Sequence, residues 1–243
     1  MSATRFFVEG VFDAGDGVAL EPDDARKLRV VLRAATGDQI EVLESAGRLF
    51  AATLRFDGER ASALLDRELA APQAPALRVT LAQGVPKGQK MDFVVEKATE
   101  LGVASIVPFW SARTVGGARE GKVERWRRLA KTASAQCGRR DVPAVEPPVD
   151  FAALVERVRT FDRALAPWEL APRIPMRERI PALVERAATI LVVIGPEGGL
   201  AESEARMLED AGAHLISLGS RILRTETAGL VTLAALLYAG GDL

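Results

Sequence analysis

Two short segments near the end of the chain hold residues whose types and order suit ligand chemistry. Gly195-Pro196-Glu197-Gly198-Gly199 follows the apolar run TILVVI. Ser220-Arg221-Ile222-Leu223-Arg224-Thr225-Glu226-Thr227-Ala228 follows HLISLG. A strand that ends in glycine brings bare backbone close to a ligand, because no Cβ stands in the way. Open α/β sheets bind ligands beyond the carboxyl ends of their strands. The spacing is not G-x-G-x-x-G, so the dinucleotide fingerprint does not apply, and GPEGG alone is equally a plain strand-to-helix turn. The second segment carries two arginines and a glutamate into a very apolar helix, where charge is costly unless paired. An N-cap by Thr225 or Thr227, with Glu226 in the first turn, accounts for part of this pattern. It does not account for Arg221 and Arg224.

A third segment is basic. Residues 113–141 hold nine cations (Arg113, Arg119, Lys122, Arg125, Arg127, Arg128, Lys131, Arg139, Arg140) against Glu120, Glu124 and Asp141. Such a run is either a solvated helix face or a footprint for a phosphate backbone. The whole-chain field cannot hold a polyanion, since 32 basic residues meet 33 acidic ones. Local clustering has to do it. One cysteine, Cys137, excludes internal disulfides and multi-cysteine metal sites. One histidine, His214, argues against a zinc centre or a Ser-His-Asp triad and reads as the opening of a strand. No metal is expected. The start, MSATRFFVEG, lacks a charged-then-apolar leader, and no apolar run approaches the ~18 residues of a membrane helix. The expectation is a cytoplasmic protein.

The elements that must position these segments follow from periodicity. Strands are expected at RFFVEGVF (5–12), QIEVLES, RLFAATLRF and ALLDREL (63–69), with turns at Gly15-Asp16-Gly17, Gly47 and Asp57-Gly58. A helix over 21–33 would start at Pro22 and turn Leu28, Val31 and Leu32 inward. A strand-rich unit of this size suits a small barrel. A linker over 70–76 follows, stiffened by Pro72 and Pro75. Beyond it strands and helices alternate. LRVTLA, VASIVPFW, DRALA, TILVVIG and HLISLG read as strands. QKMDFVVEKATEL (89–101), KVERWRRLAKTASAQ (122–136), FAALVERV, PALVERA, 202–211 and 225–239 read as helices. That alternation predicts a parallel sheet covered on both faces. The expected division is 1–72 and 73–243.

These residues also carry a family resemblance. GPEGG, then LGSRILRTETA, then a terminal apolar helix, resembles the SPOUT superfamily. KGQKMDFVVEKATELGVASIVPF (87–109), RW at 125–126 and QCGRRDVP at 136–143 narrow the likeness to the uridine-N3 methyltransferases of small-subunit ribosomal RNA. RFFV (5–8) and VLRAATGDQIEV (31–42) resemble that family's PUA-like domain. The chain departs from the pattern at Ala112 and Ala135, where the family has glutamates, and at Arg26 and Lys27, where a His pair is common.

The resemblance implies a C-terminal SPOUT α/β trefoil-knot domain behind a small N-terminal PUA-like β-barrel. It implies a homodimer and 16S ribosomal RNA of the small subunit as substrate. S-adenosylmethionine would be held by Ala166, Pro167, Gly195, Pro196, Glu197, Gly199, Leu218, Gly219, Ile222, Leu223, Thr225 and Ala228. Trp168 borders the first of these loops. RNA would meet Arg29, Arg33, Lys87, Lys90, Arg113, Arg125, Gln136, Arg139 and Arg140. Uracil N3 carries a proton at neutral pH, so attack on a methyl group needs a base and a group that offsets the developing anion. Glu226 and Glu197 are candidate bases and Arg224 the candidate stabiliser. Glu197 is equally a closure of its loop, and Glu226 equally a salt-bridge partner of Arg221 or Arg224. Two other functions stay open. Knotted enzymes acting on a ribose 2′-hydroxyl usually place Asn and Ser where this chain has Arg-Thr-Glu-Thr. An RNA-binding assembly factor without catalysis would not need intact cofactor loops.

Overall fold

In the computed structural model, residues 4–70, 75–114, 121–171, 174 and 176–243 are described. Pro72, the expected 72/73 division, Arg119 and Glu120 lie outside them. Proximity of backbone atoms in space groups the described part of Met1–Ala74 with Ser134–Val142, and the described part of Pro75–Ala133 with Pro143–Leu243.

The first unit is built on β1 (Arg5–Val8), β2 (Gly17–Ala19), β3 (Gln39–Glu44), β4 (Leu49–Asp57) and β5 (Arg60–Leu69). They form one mixed sheet in the order β1-β3-β4-β5-β2, with β1 and β3 parallel and the other pairs antiparallel. Alternation along these strands sends Phe6, Val42, Phe50, Leu54 and Leu65 into one core.

The strand expected over 5–12 stops at Val8. The chain turns at Gly10 (φ 122), and residues beyond it are captured by side chains rather than by a ladder. Glu44, fully buried, accepts from the Phe12 amide at 2.6 Å and pairs with Arg48 at 2.7 Å. The Arg48 hydrogen bond holds the Glu44 carboxyl below its ordinary range despite burial.

The helix expected over 21–33 is α1 (Pro22–Arg26) running into one π turn at Lys27–Val31. Ala25 and Leu28 face the core, but Val31 and Leu32 are 70% and 42% exposed. The wider turn shifts the residues after it off the 3.6-residue face.

The second unit shows the expected strands and helices and one short strand the sequence did not predict, β8: β6 (Arg78–Gly84), α2 (Lys90–Leu101), β7 (Ser105–Phe109), α3 (Lys122–Cys137, grouped with the first unit from Ser134 on), β8 (Ala144–Val145), α4 (Phe151–Val158), β9 (Arg163–Pro167), α5 (Met176–Val184), β10 (Thr189–Ile194), α6 (Glu202–Asp210), β11 (His214–Ile216) and α7 (Thr225–Gly240). All pairs in its six-stranded sheet are parallel, in the order β11-β9-β10-β6-β7-β8. Val79, Leu81, Val192 and Ile194 pack into one core with residues of α2, α5 and α7. Ala82, Leu191, Val193 and Ala166 pack into another with residues of α4 and α6. The period-two alternation of β6 and β10 serves both faces at once.

The helix expected at PALVERA begins earlier, at Met176, with Pro181 inside it. It ends before Arg186, which is left-handed at φ 58. HLISLG gives only three strand residues, since the chain leaves the sheet after Ile216. Among the described residues no helix is long and apolar enough to cross a membrane.

Candidate active site

Three loops meet at the carboxyl ends of β9, β10 and β11, where the GPEGG turn and the 217–224 loop are found. The turn is held tight by its own sterics. A Cβ on Gly195 would lie 2.7 Å from the Gly199 carbonyl carbon. A Cβ on Gly84, at the end of β6, would lie 2.6 Å from the Pro196 nitrogen. Real Cβ atoms do not approach backbone so closely, so both positions must be glycine for the turn to sit where it does.

Thr225 fastens this turn to the start of α7. It is buried, donates its hydroxyl to the Gly195 carbonyl at 2.5 Å, and accepts from Gln83 Nε2 at 2.8 Å. Gln83 is fully buried at the end of β6 and donates also to the Gly84 carbonyl at 3.1 Å. β6 and α7 therefore meet at one side-chain amide, and the Thr225 hydroxyl carries the link on to Gly195 at the end of β10. Gln83 was not among the residues read from the sequence; a lone polar residue closing the apolar run RVTLAQ was its only trace. Arg224 occupies the N-cap, with its carbonyl accepting from Thr227 and Ala228 and its side chain exposed.

The two carboxylates differ in their commitments. Glu197 Oε1 accepts from the Lys87 amide at 3.0 Å and from Lys90 Nζ at 2.9 Å. Burial by itself would raise its carboxyl, but the hydrogen bonds from Lys90 and from backbone amides hold it below the ordinary range. Glu226 is only 14% exposed, and its Oε2 lies 3.9 Å from Lys90 Nζ with no hydrogen bond among the described residues. The salt-bridge partner that the structure gives Glu226 is thus Lys90, not Arg221 or Arg224. Lys90, expected at an RNA backbone, stands between two carboxylates at the start of α2.

Two adjoining clefts open onto these loops. One, of about 300 Å³, is walled by Trp168, Leu218, Gly219, Ile222 and Leu223. The other, of about 440 Å³, is walled by the GPEGG turn, Arg224, Thr225, Glu226 and Lys90. Pro167 and Ala228 line both, while Ala166 lies buried just behind in β9. Small-molecule pockets combine apolar walls with a few placed polar groups in a volume of roughly 300–1,000 Å³. A slot with apolar walls at Trp168, Leu218, Ile222 and Leu223 and polar groups at Glu169, Ser217, Ser220 and Arg221, next to a second charged compartment, fits a purine nucleoside joined to a charged amino-acid tail. S-adenosylmethionine has that form.

Most of the residues expected at RNA have partners within the chain. Arg113 donates to the Gly198 carbonyl at 2.7 Å and so braces the GPEGG turn. Arg125 pairs with Asp92 at 2.6 Å. Arg139 is 11% exposed and pairs with Asp141 at 3.0 Å, and its carbonyl, like that of Gly138, accepts from Arg5. Arg5 is buried and pairs with Glu41 at 2.8 Å. The Gln136–Arg140 segment is therefore fixed in place, with Gln136 exposed and the Arg140 guanidinium lying over Gly47. Arg29 stacks on Phe56, 4.7 Å from the ring centroid, and donates to the Gly58 carbonyl. Arg33 and Lys87 are exposed. Ala112, at a family glutamate position, uses its amide instead, donating to the buried Glu204 at 2.7 Å. Trp126 is core and donates to Asp92 at 3.1 Å.

A family described as an RNA methyltransferase domain matches residues 72–237. Ribosomal RNA small subunit methyltransferase E of Mycobacterium bovis is 32% identical over 241 residues, which is 97% of this chain and 91% of that protein. The Bacillus subtilis protein of the same name is 37% identical over 169 residues, 67% of this chain and 66% of that protein. Among solved structures, a putative methyltransferase from Legionella pneumophila in complex with S-adenosylmethionine matches with a TM-score of 0.90 and 28% identity, covering 98% of each chain. Ribosomal RNA small subunit methyltransferase E from Neisseria gonorrhoeae, bound to S-adenosylmethionine, matches with a TM-score of 0.87 and 29% identity over 97% of each chain.

Proposed function

The chain belongs to the RNA methyltransferase family that includes ribosomal RNA small subunit methyltransferase E, and from that premise we propose that it methylates N3 of a uridine in 16S ribosomal RNA, using S-adenosylmethionine. The observation that carries this reading is the pair of clefts at the parallel strand ends, walled by the GPEGG turn and the 217–228 segment and locked through Thr225 and Gln83.

When bound, S-adenosylmethionine supplies an electrophilic methyl group on a sulfonium. Leu218, Gly219, Ile222 and Leu223 would hold its purine end, and Gly195, Pro196, Glu197 and Gly199 would close the charged end. Glu226 accepts the N3 proton, since Glu197 is already held by Lys87 and Lys90. Arg224 and Lys90 offset the negative charge that spreads onto the two carbonyl oxygens flanking N3 as the proton leaves. Arg140, Gln136, Arg29 and Arg33 hold the RNA. The second unit is a SPOUT domain with a trefoil-knotted chain end, a reading supported by α7, which returns from the edge strand β11 to pack on α2 and on the central β6 and β10. The first unit is a PUA-like barrel. The protein works in the cytoplasm as a homodimer that pairs through α2 and α7, where Phe93 and Val231 stay exposed.

The test is mass spectrometry of 16S ribosomal RNA from a strain lacking the gene. Loss of one 3-methyluridine, restored by the wild-type gene and not by Glu226→Gln, is the expected result. Retention of every methyluridine would overturn the reading.

A further inference from the structure

We infer that Glu169 binds the cofactor's ribose, accepting hydrogen bonds from its two hydroxyls. This rests on the cofactor reading above and adds a residue to it. The two clefts share Pro167, Glu169, Ile222, Leu223 and Ala228. A nucleoside with its purine in the apolar slot and its sulfonium beside Glu226 and Lys90 lays its sugar across the residues common to both. Four of those five have apolar side chains, which cannot pair with a cis-diol. Of the shared side chains, Glu169 alone can.

The surroundings leave its carboxylate available. Among the described residues it has no hydrogen bond or ion pair, whereas Glu197 is held by Lys90 and the Lys87 amide. The carboxylate lies against Gly199, where a Cβ would come within 3.1 Å of Glu169 Oε1. The absence of a side chain at 199 thus gives room for an acid at 169 to reach into the junction. A carboxylate accepts two hydroxyl protons at once, and charge-assisted hydrogen bonds of this kind are stronger than neutral ones. Dinucleotide-binding folds meet the same need with an acidic residue on the ribose. Trp168 fixes the approach, because its amide donates to the Ile216 carbonyl at 2.9 Å and ties the loop after β9 to β11.

The test is isothermal titration calorimetry on wild-type protein and Glu169→Ala, with three ligands: S-adenosylmethionine, S-adenosylhomocysteine and 5′-methylthioadenosine. The last keeps adenine and ribose and lacks the amino-acid tail. Loss of about tenfold or more, equal for all three, is the expected result. A loss confined to the two ligands with the amino-acid tail would move Glu169 to the ammonium group and overturn the ribose assignment. Unchanged affinity for all three would remove it from the site. A thermal melt of the variant checks the fold, and the exposed position of Glu169 predicts no change. Wild-type protein that bound none of the three would overturn the cofactor reading itself, a failure distinct from any effect of the substitution.

Discussion

Thr225→Val removes one hydroxyl and nothing else of consequence in volume. Its effect can be worked from the contacts. The hydroxyl donates to the Gly195 carbonyl at 2.5 Å and accepts from Gln83 Nε2 at 2.8 Å, all within the buried interior. Valine leaves a carbonyl and one amide hydrogen without partners. Each such buried group costs about 1–3 kcal/mol. Gln83 keeps its bond to the Gly84 carbonyl, so the total should fall near 2–4 kcal/mol, against a net stability of about 5–15 kcal/mol. At about 2–4 °C per kcal/mol for a protein of this size, melting should drop by roughly 5–15 °C. The Gly195 carbonyl would also turn away in search of a partner, which moves the GPEGG turn and weakens S-adenosylmethionine. Thr225→Ser keeps the hydroxyl and should retain most of both properties. The assays are thermal melting and calorimetric titration on the two variants. A Thr225→Val protein melting within about 2 °C of wild type, with unaltered cofactor affinity, would refute the idea that this hydrogen-bond chain holds the site together.

Other expectations follow from the same geometry. Gly84→Ala forces a Cβ to within 2.6 Å of the Pro196 nitrogen, so the turn must shift, and cofactor affinity by calorimetry should fall at least about tenfold. Glu197 has a folded pKa below its ordinary 4.5, so its ionised form contributes stability above that value that is lost as pH falls through the folded one. Glu197→Gln should therefore melt lower than wild type at neutral pH, and the two curves should converge in acid. Arg140→Ala should weaken RNA binding uniformly across sequences and reduce the salt slope by about 1 in filter-binding titrations. Arg5→Ala should weaken it too, by releasing the Gly138 and Arg139 carbonyls, while leaving the salt slope near its wild-type value.

Much of the second unit was legible because each element buries a distinct pattern. β10, TILVVI, fills both cores by simple alternation, and α2 presents Met91, Val94, Val95 and Ala98 at helical spacing. Where side chains replace ladders, the pattern failed. Residues 10–12 look like strand by composition, yet Glu44 and Arg48, distant in sequence, claim their backbone. Val31 and Leu32 look inward by period, and one wide turn carries them outward.

The site divides in the same way. The sequence alone determined which segments are special: glycines at 195, 198 and 199, charges at 221–226, and a basic stretch after 113. Those signals are local, since a glycine turn or a charged helix entry shows itself within a few residues. Which charge meets which partner was decided only by the tertiary structure. Lys90 and Glu197 are 107 positions apart, and Gln83 and Thr225 are 142 apart. Arg113 and Gly198 are 85 apart, and Arg5 and Arg139 are 134 apart. A carboxylate is a base or a strut according to whether its oxygens are already taken. That depends on partners delivered by other strands, and no local spacing encodes it.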